Sequence, residues 1–210
     1  MRIALIGDLH FYRLFAPPWR LLNKRPLGLL NLWFSRRRKF DHSILPSMVA
    51  RVRALSPQML LFSGDLTTTA MDSEFVIFRE RLGSLMEDIP SLVVPGNHDR
   101  YTHQATRDRV MERNLPGVLP DRFPLLRELS PGWDVLLLNA AGPRFFSARG
   151  EVGRTQLDAA STALQSRRQE LAGEARGLVV ICTYPIAMPP GAHARPCHRL
   201  HGPSAERDLL

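Results

Sequence analysis

Three short apolar runs, each cut off by a polar cluster, constrain this chain more than any other feature. Residues 2–7 (RIALIG) lead into Asp8-Leu9-His10, residues 58–62 (QMLLF) into Gly64-Asp65, and residues 91–94 (SLVV) into Gly96-Asn97-His98-Asp99. Apolar runs this short, bounded by turn residues, read as buried strands. The intervening segments have helical spacing. Ile44, Leu45, Met48, Val49, Val52 and Leu55 mark one helix over 42–55, closed by Pro57; Phe75, Phe78, Leu82, Leu85 and Met86 mark another over 72–87. Strand, helix, strand, helix, strand predicts an α/β sheet, parallel or mixed, with its site at the carboxyl ends of the strands.

The three clusters would meet there, and their chemistry is coherent. Asp8 and His10, one residue apart, aim two ligands at one ion. Asp65 has two oxygens and can bridge two ions. Asn97 offers a neutral carbonyl oxygen, and a neighbouring His98 a proton. Mixed oxygen and nitrogen donors suit Mn, Fe or Zn. Two such ions about 3.5–4 Å apart activate a water and clamp a phosphate oxygen. Asp-x-His alone is most often turn or cap chemistry, and Gly-Asp carries less still. Gly-Asn-His-Asp is too polar a tetrapeptide for ordinary turn chemistry, and the three clusters in this order carry the reading.

Beyond residue 123 the pattern changes. Residues 123–129, 133–139 and 144–149 read as short strands, 153–171 as a helix and 177–182 (GLVVIC) as another buried strand. The reading is one domain over 1–210 with an insertion at 11–41. Apolar residues are 44% and charged residues 23%, as in ordinary soluble domains. No run approaches the ~18 apolar residues of a spanning helix. The start reads as a strand, not a signal peptide. Cys182 and Cys197 make no disulfide framework, so the expected compartment is the cytoplasm, with peripheral attachment to a membrane as a variant.

That variant comes from the insertion. Residues 11–40 carry eight Lys and Arg and no acid, so they hold the whole net charge of +8. They also contain Trp19 and Trp33, and 27–38 has the makings of a short amphipathic helix. An anionic membrane surface suits this mixture. Nucleic acid suits it less, with Arg on phosphates and aromatics on bases. A solvated face over a satellite core is the plain alternative.

At Asp8-Leu9-His10, Gly64-Asp65 and Gly96-Asn97-His98-Asp99 the sequence resembles the calcineurin-like metallophosphoesterase family. Residues 147–157 (SARGEVGRTQL) resemble its cyclic-nucleotide phosphodiesterase-like branch. The resemblance implies a four-layer α/β/β/α sandwich of two mixed sheets. It also implies a centre of two divalent ions: Asp8 and His10 on one, Asp65 bridging, Asn97 on the other. His98 would protonate the leaving group and Asp99 would orient His98. The implied reaction is hydrolysis of a small phosphodiester, such as a cyclic nucleotide or a nucleotide-linked lipid, by a metal-activated water.

Two departures accompany the resemblance. The family's fourth block reads His-His-Pro after a strand, whereas GLVVIC here leads into Thr183-Tyr184-Pro185. The last block, Gly-His-x-His, is expected beyond Leu210, so the sandwich is expected to be incomplete at its C-terminal end, with an uncovered sheet edge beside GLVVIC. His193, His198 and His201 lie near that gap as possible substitutes. With Asp8, His10, Asp65 and Asn97 as the remaining ligands, one ion is the alternative to two. A truncated or degenerate domain that binds without catalysing is the alternative to the enzyme.

Overall fold

In the computed structural model, residues 1–13, 40–144, 149–172, 174–185 and the backbone of 200–201 are described. The strand β1 (Ile3–Ile6), the strand β2 (Met59–Phe62) and the strand β3 (Ser91–Val93) form a sheet in the order β1-β2-β3, parallel throughout. Every side chain of β2 is buried, and its period of two sorts them. Leu60 and Phe62 face helices; Met59 and Leu61 face a second sheet.

The helices on the first face are α1 (Leu45–Leu55) and α2 (Asp72–Asp88). A 3-10 turn, His42–Ile44, leads into α1, and the Asp41 carboxylate accepts from Ser43 N at its start. Pro46 sits in the first turn of α1, where its missing N–H costs nothing. Glu74, fully buried in the first turn of α2, accepts from Met71 N and from both the N–H and hydroxyl of Thr69. Phe75, Phe78, Leu82 and Leu85 of α2 are wholly buried against Leu60 and Phe62. Each contributes about 1.5–3 kcal/mol of burial. Two short helices, α3 (His103–Arg107) and α4 (Val110–Asn114), close the same layer through Ala105, Val110 and Met111.

The second sheet comprises β4 (Leu125–Ser130) and β5 (Trp133–Leu137) and, after the short strand β6 (Gly150–Glu151), β7 (Gly177–Ile181). Its order is β4-β5-β7, antiparallel then parallel. Alternation again sets the layers. Val135 and Leu137 pack on Leu61 and Leu92 of the first sheet, while Leu136 and Leu138 pack on Leu157 and Ala160 of α5 (Arg154–Glu170). The result is the expected α/β/β/α sandwich, with the first sheet parallel rather than mixed among the described residues and the second mixed. β6 pairs in parallel with a last short strand, β8 (Leu200–His201).

Two readings from sequence need correction. The strand expected over 144–149 is not found at its described ends: Arg144 and Arg149 are irregular, and pairing begins at Gly150. A Cβ at Gly150 would lie 2.2 Å from the Tyr184 ring, so only glycine lets the strand settle there. The helices α3 and α4 were not anticipated, because five residues each are too few to display a 3.6-residue period. The helix expected over 27–38 lies outside the described residues. β7 pairs with β5 alone among the described residues.

Candidate metal centre

The carboxyl ends of β1, β2 and β3 are held together by a ladder that outlasts the strands. Ser63 N donates to Ile6 O and Val94 N to Phe62 O, each at 2.9 Å. Beyond them, His10 N donates to Asp65 O at 2.9 Å and Phe11 N to Leu66 O at 2.8 Å. This zips the Asp8-His10 loop to the Gly64-Asp65 loop. Asp8, His10 and Asp65 have φ of +54°, +48° and +53°. Left-handed backbone at non-glycine residues costs on the order of 1–3 kcal/mol each and is held only where the surroundings dictate it. The third loop comes in as closely: a Cβ at Gly96 would lie 2.1 Å from Asp65 Oδ1 and 2.2 Å from Asp65 N.

The side chains converge accordingly. His10 Nε2 lies 3.7 Å from Asp8 Oδ1 and 3.9 Å from Asp65 Oδ2. The ligand atoms of His10, Asp65 and His98 all lie within 4.8 Å of one another. Asp65 is anchored by its other oxygen, Oδ1, which accepts from His98 N at 2.9 Å. Asn97, half-buried, sits on the turn between Gly96 and His98. His10, Asp65 and His98 thus bring imidazole and carboxylate donors to one point, with the largely exposed Asp8 carboxylate beside His10 and Asn97 adjacent in the third loop. Such a set fits a divalent ion of the Mn, Fe or Zn kind.

His98 enters this cluster in a defined orientation. Its Nδ1 lies 2.7 Å from Thr68 O. A carbonyl oxygen only accepts, so Nδ1 carries the proton and Nε2 is left for the centre. Its ring meets the His10 ring edge-on at 4.7 Å and lies parallel to Tyr101 at 5.7 Å. The expectation that Asp99 orients His98 is therefore corrected. Asp99 accepts from Leu66 N, Thr67 N, Thr67 Oγ1 and Gly96 N, at 2.9–3.3 Å, and so ties the second loop to the third. Burial, and then the charge of Asp65, push its carboxyl up to about 6 against those donors. Phe40, which stacks on His10 at 4.3 Å, and Tyr101 went unnoticed in the sequence. Lone aromatics with no periodic context carry no signal there.

The fourth block is built differently. The Thr183 hydroxyl reaches Ser63 O at 2.9 Å and Pro95 O at 2.7 Å, the carbonyls just ahead of Gly64-Asp65 and Gly96-Asn97. It therefore braces the two loops that carry candidate ligands. Tyr184 is buried, and its hydroxyl has no hydrogen-bond partner among the described residues. Burial first, and then the Asp65 charge, push its ionisation upward. His193 and His198 lie outside the described residues, and only the backbone of His201 is described.

The calcineurin-like phosphoesterase profile matches residues 1–209. The chain belongs to that family. A probable glycerophosphodiester phosphodiesterase of Arcobacter nitrofigilis is 33% identical over 90 residues. That match takes in 40% of this chain and only 32% of the relative, about a third of its length. Among solved structures, a dimetal phosphatase from Danio rerio superposes with a TM-score of 0.54 at 12% identity. It covers 88% of this chain and 70% of that one, and at this identity it bears on the calcineurin-like fold alone. No helix among the described residues is long and apolar enough to cross a membrane.

Proposed function

We propose that the chain is a metal-dependent phosphoesterase that hydrolyses a small phosphodiester. We assign one catalytic domain to 1–210, with 11–41 as an insertion. The convergence of His10, Asp65 and His98 at the ends of three parallel strands carries this reading. The diester class is supported by the glycerophosphodiester relative.

Asp8, His10, Asp65 and Asn97 would hold the divalent ions, two on the pattern of the family. Such ions, when bound, polarise phosphoryl oxygens and supply a nucleophilic water near neutral pH. The residues do the rest. Asp65, fixed by His98 N, keeps one oxygen directed at the centre. Thr68 O holds the His98 ring by its Nδ1 proton, so that Nε2, once protonated, delivers a proton to the leaving oxygen. Asp99 holds the two loops in register.

The test is hydrolysis of bis(p-nitrophenyl) phosphate with added Mn²⁺. The wild type turns over, His98→Ala slows it and Asp65→Ala abolishes it. Activity unchanged in Asp65→Ala would sink the assignment. The brace at Thr183 favours a second reading, in which the domain holds metal and ligand without turnover. Metal retained with no hydrolysis of any diester would select it.

A further inference from the structure

Among the described residues β1 is paired on one side only, with β2. Along its free edge runs a groove of about 740 Å³, within the size range of small-molecule sites. Its walls are mostly apolar, with Ile3 and Leu5 from the strand and Ile44 and Leu55 from the helical side, and Arg2, Asp41 and His42 also line it. Leu5 and Ile44 are each 62% exposed. Single exposed apolar residues are ordinary, but several lining one channel form a patch that marks a binding surface.

The groove is continuous with the centre. Asp8 lines its end, and the Asp8 carboxylate faces His10 Nε2 at 3.7 Å. Phe40 lines the groove too, and its ring stacks on His10 at 4.3 Å. A ligand whose charged group sits at the centre therefore meets Phe40 next and a hydrocarbon channel beyond. A cation-binding cluster at one end and an apolar run at the other is complementary to an amphiphile.

We propose that this groove takes the apolar arm of the substrate. On the phosphoesterase reading above, the substrate is an amphiphilic phosphoester, its phosphate at the His10–Asp65 centre and its tail along Leu5 and Ile44.

The experiment varies the arm alone. Methyl and hexyl p-nitrophenyl phosphodiesters are compared by kcat/KM with Mn²⁺, and methylphosphonate and hexylphosphonate by calorimetric affinity. The hexyl compounds are preferred by roughly tenfold, since each buried methylene contributes favourably. In Leu5→Glu and Ile44→Glu the hexyl-to-methyl ratio falls toward one. Both side chains are largely exposed, so these variants keep their fold, which melting temperature checks. Equal preference for both arms in the wild type overturns the proposal. So does a wild-type dimer that Leu5→Glu makes monomeric with no chain-length preference, which would assign the groove to a second copy. If neither ester is cleaved, the phosphoesterase reading falls, and the two phosphonate affinities still decide the groove.

Discussion

The two sheets meet at one end of the molecule and contribute opposite things to it. The parallel sheet delivers the candidate metal ligands, on loops whose backbone is strained at Asp8, His10 and Asp65. The mixed sheet delivers a brace, the Thr183 hydroxyl on Ser63 O and Pro95 O. Its charged groups lie elsewhere, where Arg176 and Arg167 pair with Asp134 at the start of β5. Thr183 braces the second and third loops from the mixed sheet, while the strained Asp8-His10 loop is held by its own bonds to Asp65 O and Leu66 O. The difference teaches that the end of β7 serves geometry, whereas the ends of β1, β2 and β3 carry the proposed chemistry.

The hardest way to break this division is to remove a ligand from the parallel side. Losing a residue that merely orients a metal ligand typically costs 10–100-fold in affinity or activity. Asp65→Ala, which removes a proposed ligand itself, should therefore cost at least about a hundredfold in Mn²⁺-dependent hydrolysis. Gly96→Ala is next. Its methyl would collide with Asp65 N and Oδ1, force the loops apart and cost about 3 kcal/mol of stability along with metal affinity. Thermal melts and metal titration read both. Were Gly96→Ala neutral, the close approach of the loops would be wrong.

Thr183→Val sharpens the comparison from the other side. It keeps the shape and removes the hydroxyl, leaving Ser63 O and Pro95 O without that donor. About 1–2 kcal/mol of stability should be lost, with metal affinity falling less than in Asp65→Ala. A larger effect on metal than on melting would make Thr183 a ligand and erase the contrast between the sheets.

The smallest effect is in pH. Asp99 is pushed up to about 6 by burial and by Asp65. An acid whose folded value lies above its ordinary one binds its proton more readily when folded. Its contribution to stability is full below about pH 4 and is lost as pH rises toward about 6. The metal-free wild type should therefore lead Asp99→Asn by most near pH 4 and by less at pH 7, in urea midpoints across that range. A difference that grows with pH would reverse the sign.

How much of this was legible in the sequence depended on the kind of signal. Strands such as Met59–Phe62 announced themselves, because a run buried on both faces is apolar throughout. The candidate ligands did so because polar residues after such a run have few structural reasons to be there. The partner of His98 stayed hidden, since Thr68 acts through its carbonyl, which every residue possesses. Asp99 misled for a related reason: adjacency in sequence suggested contact with His98, while the chain turns its carboxylate toward Leu66, Thr67 and Gly96. Thr183 read as a lost ligand, and its bracing role follows only from where β7 ends relative to β2 and β3.

Direct titration of the purified chain with Mn²⁺ tests the central claim most closely. The wild type should bind at micromolar metal or tighter, Asp65→Ala and His10→Ala should lose that binding, and Thr183→Val should keep it. Equal binding in the wild type and in Asp65→Ala, or none in the wild type, would contradict a metal centre at the ends of the parallel strands.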